Sequence, residues 1–401
     1  MQAETQVNET IMPPLTLPSS EWQGVEAVLH KHYHKPDIQA ARLILAAVAA
    51  HTFKAHVPVW VLAIAPPGSA KTDLLESLRG LPRSYFPDEI TPKTFLSGKL
   101  DQEGHKRTRP AGLLHRIGND GILIASDFST YTADPRNFKV ILSQLRRIYD
   151  GNYCREFGID ENPEERVWHG RLTIFAGAVP DIDRHYSLFQ KLGERFVRVR
   201  WPRPAGVQAA LQAMRHTDQV AAELQAAVHG LLMPILVVPE HEVFVPSETE
   251  LRIANLTELI AVGRSHVERE RYKREIIEIP VTEGNTRLPM QLVQLARGSA
   301  LLDGRAAITE DDYRLVCRAA LDSLPPGRAA CLIALLRGES PYASGLPYSV
   351  LFLALSDLLA VGLVENVGED GKQARLSETA EKLLFASDLR QVLSSHTVAH
   401  T

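Results

Sequence analysis

The stretch WVLAIAPPGSAKTDLLESL, Trp60 to Leu78, limits what this chain can fold into more than any other. Val59 to Ile64 is an apolar run of strand length. Pro66, Pro67 and Gly68 break it, and Thr72 to Leu78 restarts as a helix. A loop between a buried strand and a helix presents backbone N–H groups at the helix N-terminus, where they and the helix dipole stabilise phosphate charge. The spelling departs from G-x-x-x-x-G-K-[ST] at both glycines, which are Ala65 and Ala70 here, while Gly68 remains inside the loop. Pro67, Gly68, Ser69, Ala70, Lys71, Thr72 and Asp73 are the candidate nucleotide-binding residues. Lys71 is placed to reach the β- and γ-phosphates of ATP and Thr72 to hold Mg2+. Ala70 is accommodated before the lysine if it has helical dihedrals, where no positive φ is needed.

Three further apolar runs follow: GILIASDFS (Gly121 to Ser129), RLTIFAGAV (Arg171 to Val179) and RFVRVRW (Arg195 to Trp201). Helical segments lie between them, notably Phe138 to Tyr149, and Glu21 to about Phe53 is helical before them. Strands alternating with helices predict an α/β fold, a parallel sheet with helices on its faces. After Pro204 the pattern turns helical over Ala205 to Val237, Glu248 to Ile277 and Arg287 to Leu302. Thr309 is the expected cap of the next helix, with three acids in its first turn. The end of the chain reads as helices over Ala329 to Leu336 and Tyr348 to Leu359, a hairpin turning at Gly-Glu-Asp-Gly, and a helix capped by Ser377, which together make a winged helix. The expected division is a flexible tail over 1–20, a nucleotide-binding core over 21–204, an all-α lid over 205–325, a winged helix over 326–390 and a tail over 391–401.

The 401 residues suffice for two or three domains, and the net charge of −4 argues against a polyanion binder by overall composition. Three scattered cysteines suggest neither a disulfide framework nor a zinc site, and a reducing cytoplasm fits them. No run of about 18 apolar residues is evident, so no membrane span is expected. HKHYH, His30 to His34, reads as a solvated helix end.

PPGSAKT resembles the PG-x-AK-[ST] spelling of the AAA+ clade that includes minichromosome-maintenance (MCM) helicases and MoxR-type ATPases. The resemblance spans about 60–384, and its parts come in the order of that clade. They are Ile122 to Phe128, the hairpin candidate ILSQLRRIYDGNYCREFG, IFAGAVP, GERF, EGNTRLPMQLVQLARGSALL and the winged pattern. It extends to AAA+-like ATPases carried by phages and integrating mobile elements. It implies Asp127 as the acidic residue, Arg195 as an arginine finger acting on a neighbouring subunit, and Arg287 as the second sensor. Arg297 is the alternative on the same helix and is expected at the surface. The family has two acids where this chain has Ser126-Asp127. If Asp127 aligns with the first it serves Mg2+; if with the second it positions water, and Ser126 stands in as a poor metal ligand. The sensor asparagine of the family corresponds to Val179, and the nearby Asp181 and Asp183 are expected as solvated turn residues.

The implied protein is an ATPase working as a homo-oligomeric ring, by resemblance a hexamer, that remodels or translocates DNA. Lys99, Lys106, Arg107 and Arg109 of SGKLDQEGHKRTRP are the candidate DNA-backbone contacts. The mixed-sign run GRSHVERERYKREI is expected as an exposed helix face. The helix Tyr348 to Leu359 has no Arg or Lys, which suits protein packing better than base reading. Two alternatives therefore stand beside the DNA motor: a MoxR-like chaperone with a protein partner, and a slow nucleotide-gated scaffold.

Overall fold

The computed structural model of the chain describes residues 20–53, 57–97, 112–157, 164–204, 206–215, 218–238, 240–270, 274–367 and 373–396. Helices α1 (Ser20–His32) and α2 (Ile38–Ala50) precede strand β1 (Trp60–Ile64) and helix α3 (Lys71–Glu76). The helical stretch expected up to Phe53 is thus split. Pro36 and the left-handed Lys35 (φ 47°) break it, and the Asp37 carboxylate caps α2 by accepting from the Ala40 N–H. After β2 (Ser84–Tyr85) and α4 (Leu113–Ile117) come β3 (Asp120–Ala125) and α5 (Pro135–Tyr149). The antiparallel hairpin β4 (Asn152–Phe157) and β5 (Glu164–His169) follows, then β6 (Arg171–Ala178), α6 (Tyr186–Lys191) and β7 (Phe196–Arg200).

The main sheet has the order β2-β3-β6-β1-β7, with every pairing parallel. All five residues of β1 are buried, as a central parallel strand covered on both faces requires. On one face lie α2, α3 and the helices of the second half. On the other, α5, α6 and the β4–β5 hairpin enclose an aromatic cluster of Trp60, Phe128, Phe138, Phe189 and Phe196.

The second half contains α7 (Val207–Ala213), α8 (Asp218–Val237), α9 (Ser247–Gly263), α10 (Arg287–Leu302) and α11 (Glu310–Asp322). Thr309 and Asp312 form a reciprocal capping box at the start of α11. One expectation fails here. The helix read over Glu248 to Ile277 ends at Gly263, and the described residues of the mixed-sign run beyond it, 264–270 and 274–276, form no helix. Several of its described charges reach distant partners: Arg264 pairs with Glu283, Arg269 with Asp357 at 2.5 Å, and Glu268 with Lys191 at 2.5 Å as well as with the nearby His266. In addition, α8 is long and apolar enough to cross a membrane by length and composition alone. In this fold its apolar side is in the core, where Leu224, Val228, Leu231, Leu232 and Ile235 are buried. Helix α10 lies across α2 with Gly298 so close that a Cβ there would run into the Ala46 carbonyl. Arg42 of α2 clamps the same crossing through Ser299 (2.9 Å) and Asp303 (2.5 Å).

The C-terminal part has α12 (Pro326–Leu336), α13 (Tyr348–Ala360), the hairpin β8 (Val364–Val367) and β9 (Gln373–Leu376), α14 (Glu378–Ala386) and α15 (Leu389–His396). Ser377 caps α14 through the Ala380 N–H. Helix α15 continues through much of what was expected as a tail from 391, because Leu389 and Val392 are buried.

Candidate functional site

The phosphate-type loop lies at the C-terminal end of β1, where parallel sheets place their binding sites. Gly68 has φ 77° and Ala70 has φ 64°, so two residues of the loop are left-handed. The condition of helical dihedrals at Ala70 is not met. A left-handed alanine costs roughly 1 to 2 kcal/mol through its Cβ, and α3 begins immediately after it. Because α3 is six residues long, its dipole is small. The donors available there to a phosphate are the loop N–H groups and Lys71.

Lys71 is only 8% exposed. Its Nζ donates to the Ala178 carbonyl at 3.0 Å, the same oxygen that accepts from the Ala65 N–H at the end of β1. Burial lowers the Lys71 pKa, and the Asp127 carboxylate opposes that shift. Ser126 stands directly after the β3 end, and Asp127 follows it. The Ser126 hydroxyl donates to the Glu76 carboxylate on α3 at 2.6 Å, a partner not anticipated from the sequence. Thr72 is exposed, one helical turn before Glu76. Val179 offers only its backbone: its N–H donates to the Ser129 hydroxyl at 2.8 Å.

Gly68, Ser69, Ala70 and Asp73 form one wall of a cavity of about 520 Å³, and Tyr33, His34, Trp201 and Pro202 line the rest. Tyr33 donates to Asp73 at 2.9 Å, and burial together with this carboxylate raises its pKa. HKHYH is therefore not simply a solvated helix end. His32 contacts Glu223 at 2.7 Å, and Tyr33 ties the segment to the loop helix. The buried Ser69 hydroxyl has no hydrogen-bond partner, an unmet polar group of the kind a phosphate oxygen satisfies. The donors fit a nucleotide: apolar and aromatic walls for a base, and N–H groups, Lys71 and Ser69 for phosphates. Among the described residues no group of three or more His, Cys, Asp and Glu side chains is gathered for a metal. Thr72, Ser126, Asp127 and Glu76 supply oxygens only. That fits Mg2+, which binds through one or two carboxylates plus substrate phosphates.

Arg195 and Arg287 sit elsewhere. Arg195 precedes β7, whose first residue Phe196 pairs with Trp60 at the start of β1. It therefore lies at the opposite end of the sheet from Lys71, roughly 16 Å away over a five-residue strand. The buried Glu194 fixes the turn by accepting from the Arg195 and Phe196 N–H groups at 3.2 and 3.1 Å. Arg195 Nη1 donates to the Leu192 and Gly193 carbonyls. Its Nε and Nη2 make no hydrogen bond, and Asp150 approaches Nη2 only to 3.8 Å. Burial and the neighbouring Arg287 hold the Arg195 pKa down to about 10. Gln291 of α10 donates to the Arg195 carbonyl at 2.7 Å, which pins the start of α10 beside it. The two arginines thus flank Gly193 together.

Arg297 is half-buried rather than at the surface, with its Nε unpartnered. Asp183 is not a solvated turn residue: it accepts from Arg198 at 3.0 Å and from Arg200 at 2.7 Å. Asp181 does fit that description, half-exposed and paired with Arg184. The basic stretch with Lys99, Lys106, Arg107 and Arg109 lies outside the described residues.

No protein-family model matches this chain, and no curated protein matches it. Among solved structures, a full-length MCM homolog from Methanopyrus kandleri is similar at 16% identity and a TM-score of 0.47, covering 76% of this chain and 59% of that one. This chain thus matches less than two thirds of the homolog's length.

Proposed function

We propose that this chain is an AAA+-like ATPase that binds ATP with Mg2+ in the cavity beside the loop and spends it to remodel or translocate DNA. The observation that carries the nucleotide reading is that Ser69, whose buried hydroxyl is unpartnered, lines a cavity with Tyr33 and Trp201 two residues before Lys71. The base lies between Tyr33 and Trp201, and the phosphates lie along Gly68 to Thr72. Thr72, with the oxygens of Ser126 and Asp127, would hold Mg2+, which would offset phosphate charge. Lys71 leaves the Ala178 carbonyl for the phosphates, and Asp127 orients water.

Arg195 and Arg287 serve a second copy of the chain. They are too far from Lys71 for their own site, and a buried guanidinium with unmet donors is suited to an incoming anion. The motif order supports a ring, by resemblance a hexamer. Equilibrium binding of ATP with Mg2+, followed by hydrolysis with and without DNA at low salt, tests this reading. DNA-stimulated turnover supports the motor; turnover indifferent to DNA removes DNA from the account.

One observation favours a protein partner instead. Helix α13 exposes Tyr348 (70%) and Phe352 (60%), stacked with ring centroids 6.4 Å apart. Aromatic surface without cations suits a protein contact better than a phosphate backbone. Capture of one protein with no DNA retention distinguishes this reading.

A further inference from the structure

We propose that Glu76 is a positioning residue of the Mg2+ site, supplying from the loop helix the carboxylate that the end of β3 lacks. The inference rests on the nucleotide reading above. Of the two residues after β3, Asp127 acts electrostatically on Lys71, whereas Ser126 turns to α3 and bonds Glu76 at 2.6 Å. Ser126 therefore faces the loop helix that carries Thr72, the side on which a metal would be held. A serine hydroxyl alone is a weak ligand for a hard cation, which favours carboxylate oxygens. Glu76 corrects this at one remove. Its carboxylate accepts a charge-assisted hydrogen bond from the Ser126 hydroxyl, which adds negative character to the serine oxygen and leaves its lone pairs outward.

The geometry is held from several sides. Thr72 and Glu76 are one turn apart and share a face of α3. Arg79 grips the other Glu76 oxygen at 2.7 Å. Gly177 on β6 sits so near the Ser126 carbonyl that no side chain fits between them.

The test is the affinity of a fluorescent ATP analogue for the full chain, titrated with Mg2+ and in EDTA. Glu76→Gln keeps an acceptor for the Ser126 hydroxyl but removes the charge. It is expected to cut the Mg2+-dependent gain in affinity about tenfold or more, the range of lost outer-shell ligands, and to leave the EDTA affinity unchanged. Adding Ser126→Asp to Glu76→Gln is expected to restore the gain, because the carboxylate then stands in the strand itself. Equal weakening of Glu76→Gln with and without Mg2+, or no weakening at all, overturns the proposal. Absence of nucleotide binding by the unmodified chain overturns instead the reading on which it rests.

Discussion

The Lys71 ammonium is bound to the Ala178 carbonyl at 3.0 Å, across the gap between the loop helix and the end of β6. A buried cation with one carbonyl and one neighbouring carboxylate is incompletely compensated for lost hydration. Lys71→Met is therefore expected to raise the thermal midpoint of the free protein while abolishing ATP binding. The pH dependence has a definite sign. The folded-state pKa of Lys71 is lowered, so its charged form costs stability at neutral pH, and that cost is relieved as pH rises from the lowered value to the ordinary lysine range. The advantage of Lys71→Met should shrink across that same window. Equal midpoints at pH 7 and at pH 10 contradict this.

Ala70 gives a prediction in which the sign decides. If it were helical, Ala70→Gly would destabilise by about 1 kcal/mol. With φ at 64°, the relief of strain outweighs the greater freedom of glycine in the unfolded chain, and a net stabilisation of about 0.5 kcal/mol is expected. Urea unfolding of the two proteins settles it.

The crossing of α2 and α10 has no room for a side chain at Gly298. Gly298→Val is expected to destabilise by about 3 kcal/mol or more, because the opposing atom is backbone and cannot rotate away. A change below 1 kcal/mol in denaturant unfolding would show that the two helices separate easily.

Much of this architecture was legible in the sequence. The buried strands announced themselves as short apolar runs ended by Pro, Gly or acids, and the caps Thr309 and Ser377 marked helix starts through local hydrogen bonds. Features set by distant parts of the chain were not legible. Tyr33 meets Asp73, Ser126 meets Glu76, and Arg287 is brought to Arg195 by Gln291, each across a sequence gap that carries no periodic signal. The stretch after Gly263 was read as helix from its apolar spacing, with its mixed charges as an exposed face, yet Arg264, Arg269 and Glu268 are claimed by Glu283, Asp357 and Lys191. The left-handed turn at Ala70 was hidden because alanine does not mark positive φ as glycine does.

Arg195 and Arg287 make a prediction that needs two copies of the chain. Arg195→Ala is expected to bind ATP normally and to hydrolyse it at least a hundredfold more slowly, in keeping with the effect of removing an arginine finger. Mixing it with Lys71→Met should restore part of the turnover, because an intact loop then meets an intact Arg195 on a neighbour. Loss of ATP binding in Arg195→Ala, or no recovery on mixing, would place the pair outside the reaction.

The most direct measurement is a calorimetric titration of the full chain with ATP and Mg2+, run beside Lys71→Met and Tyr33→Ala. Saturable binding by the unmodified chain, lost in Lys71→Met and weakened in Tyr33→Ala, is the expected result. Binding that persists in Lys71→Met, or its absence from the unmodified chain, would contradict a nucleotide site between the loop and the cavity of Tyr33 and Trp201.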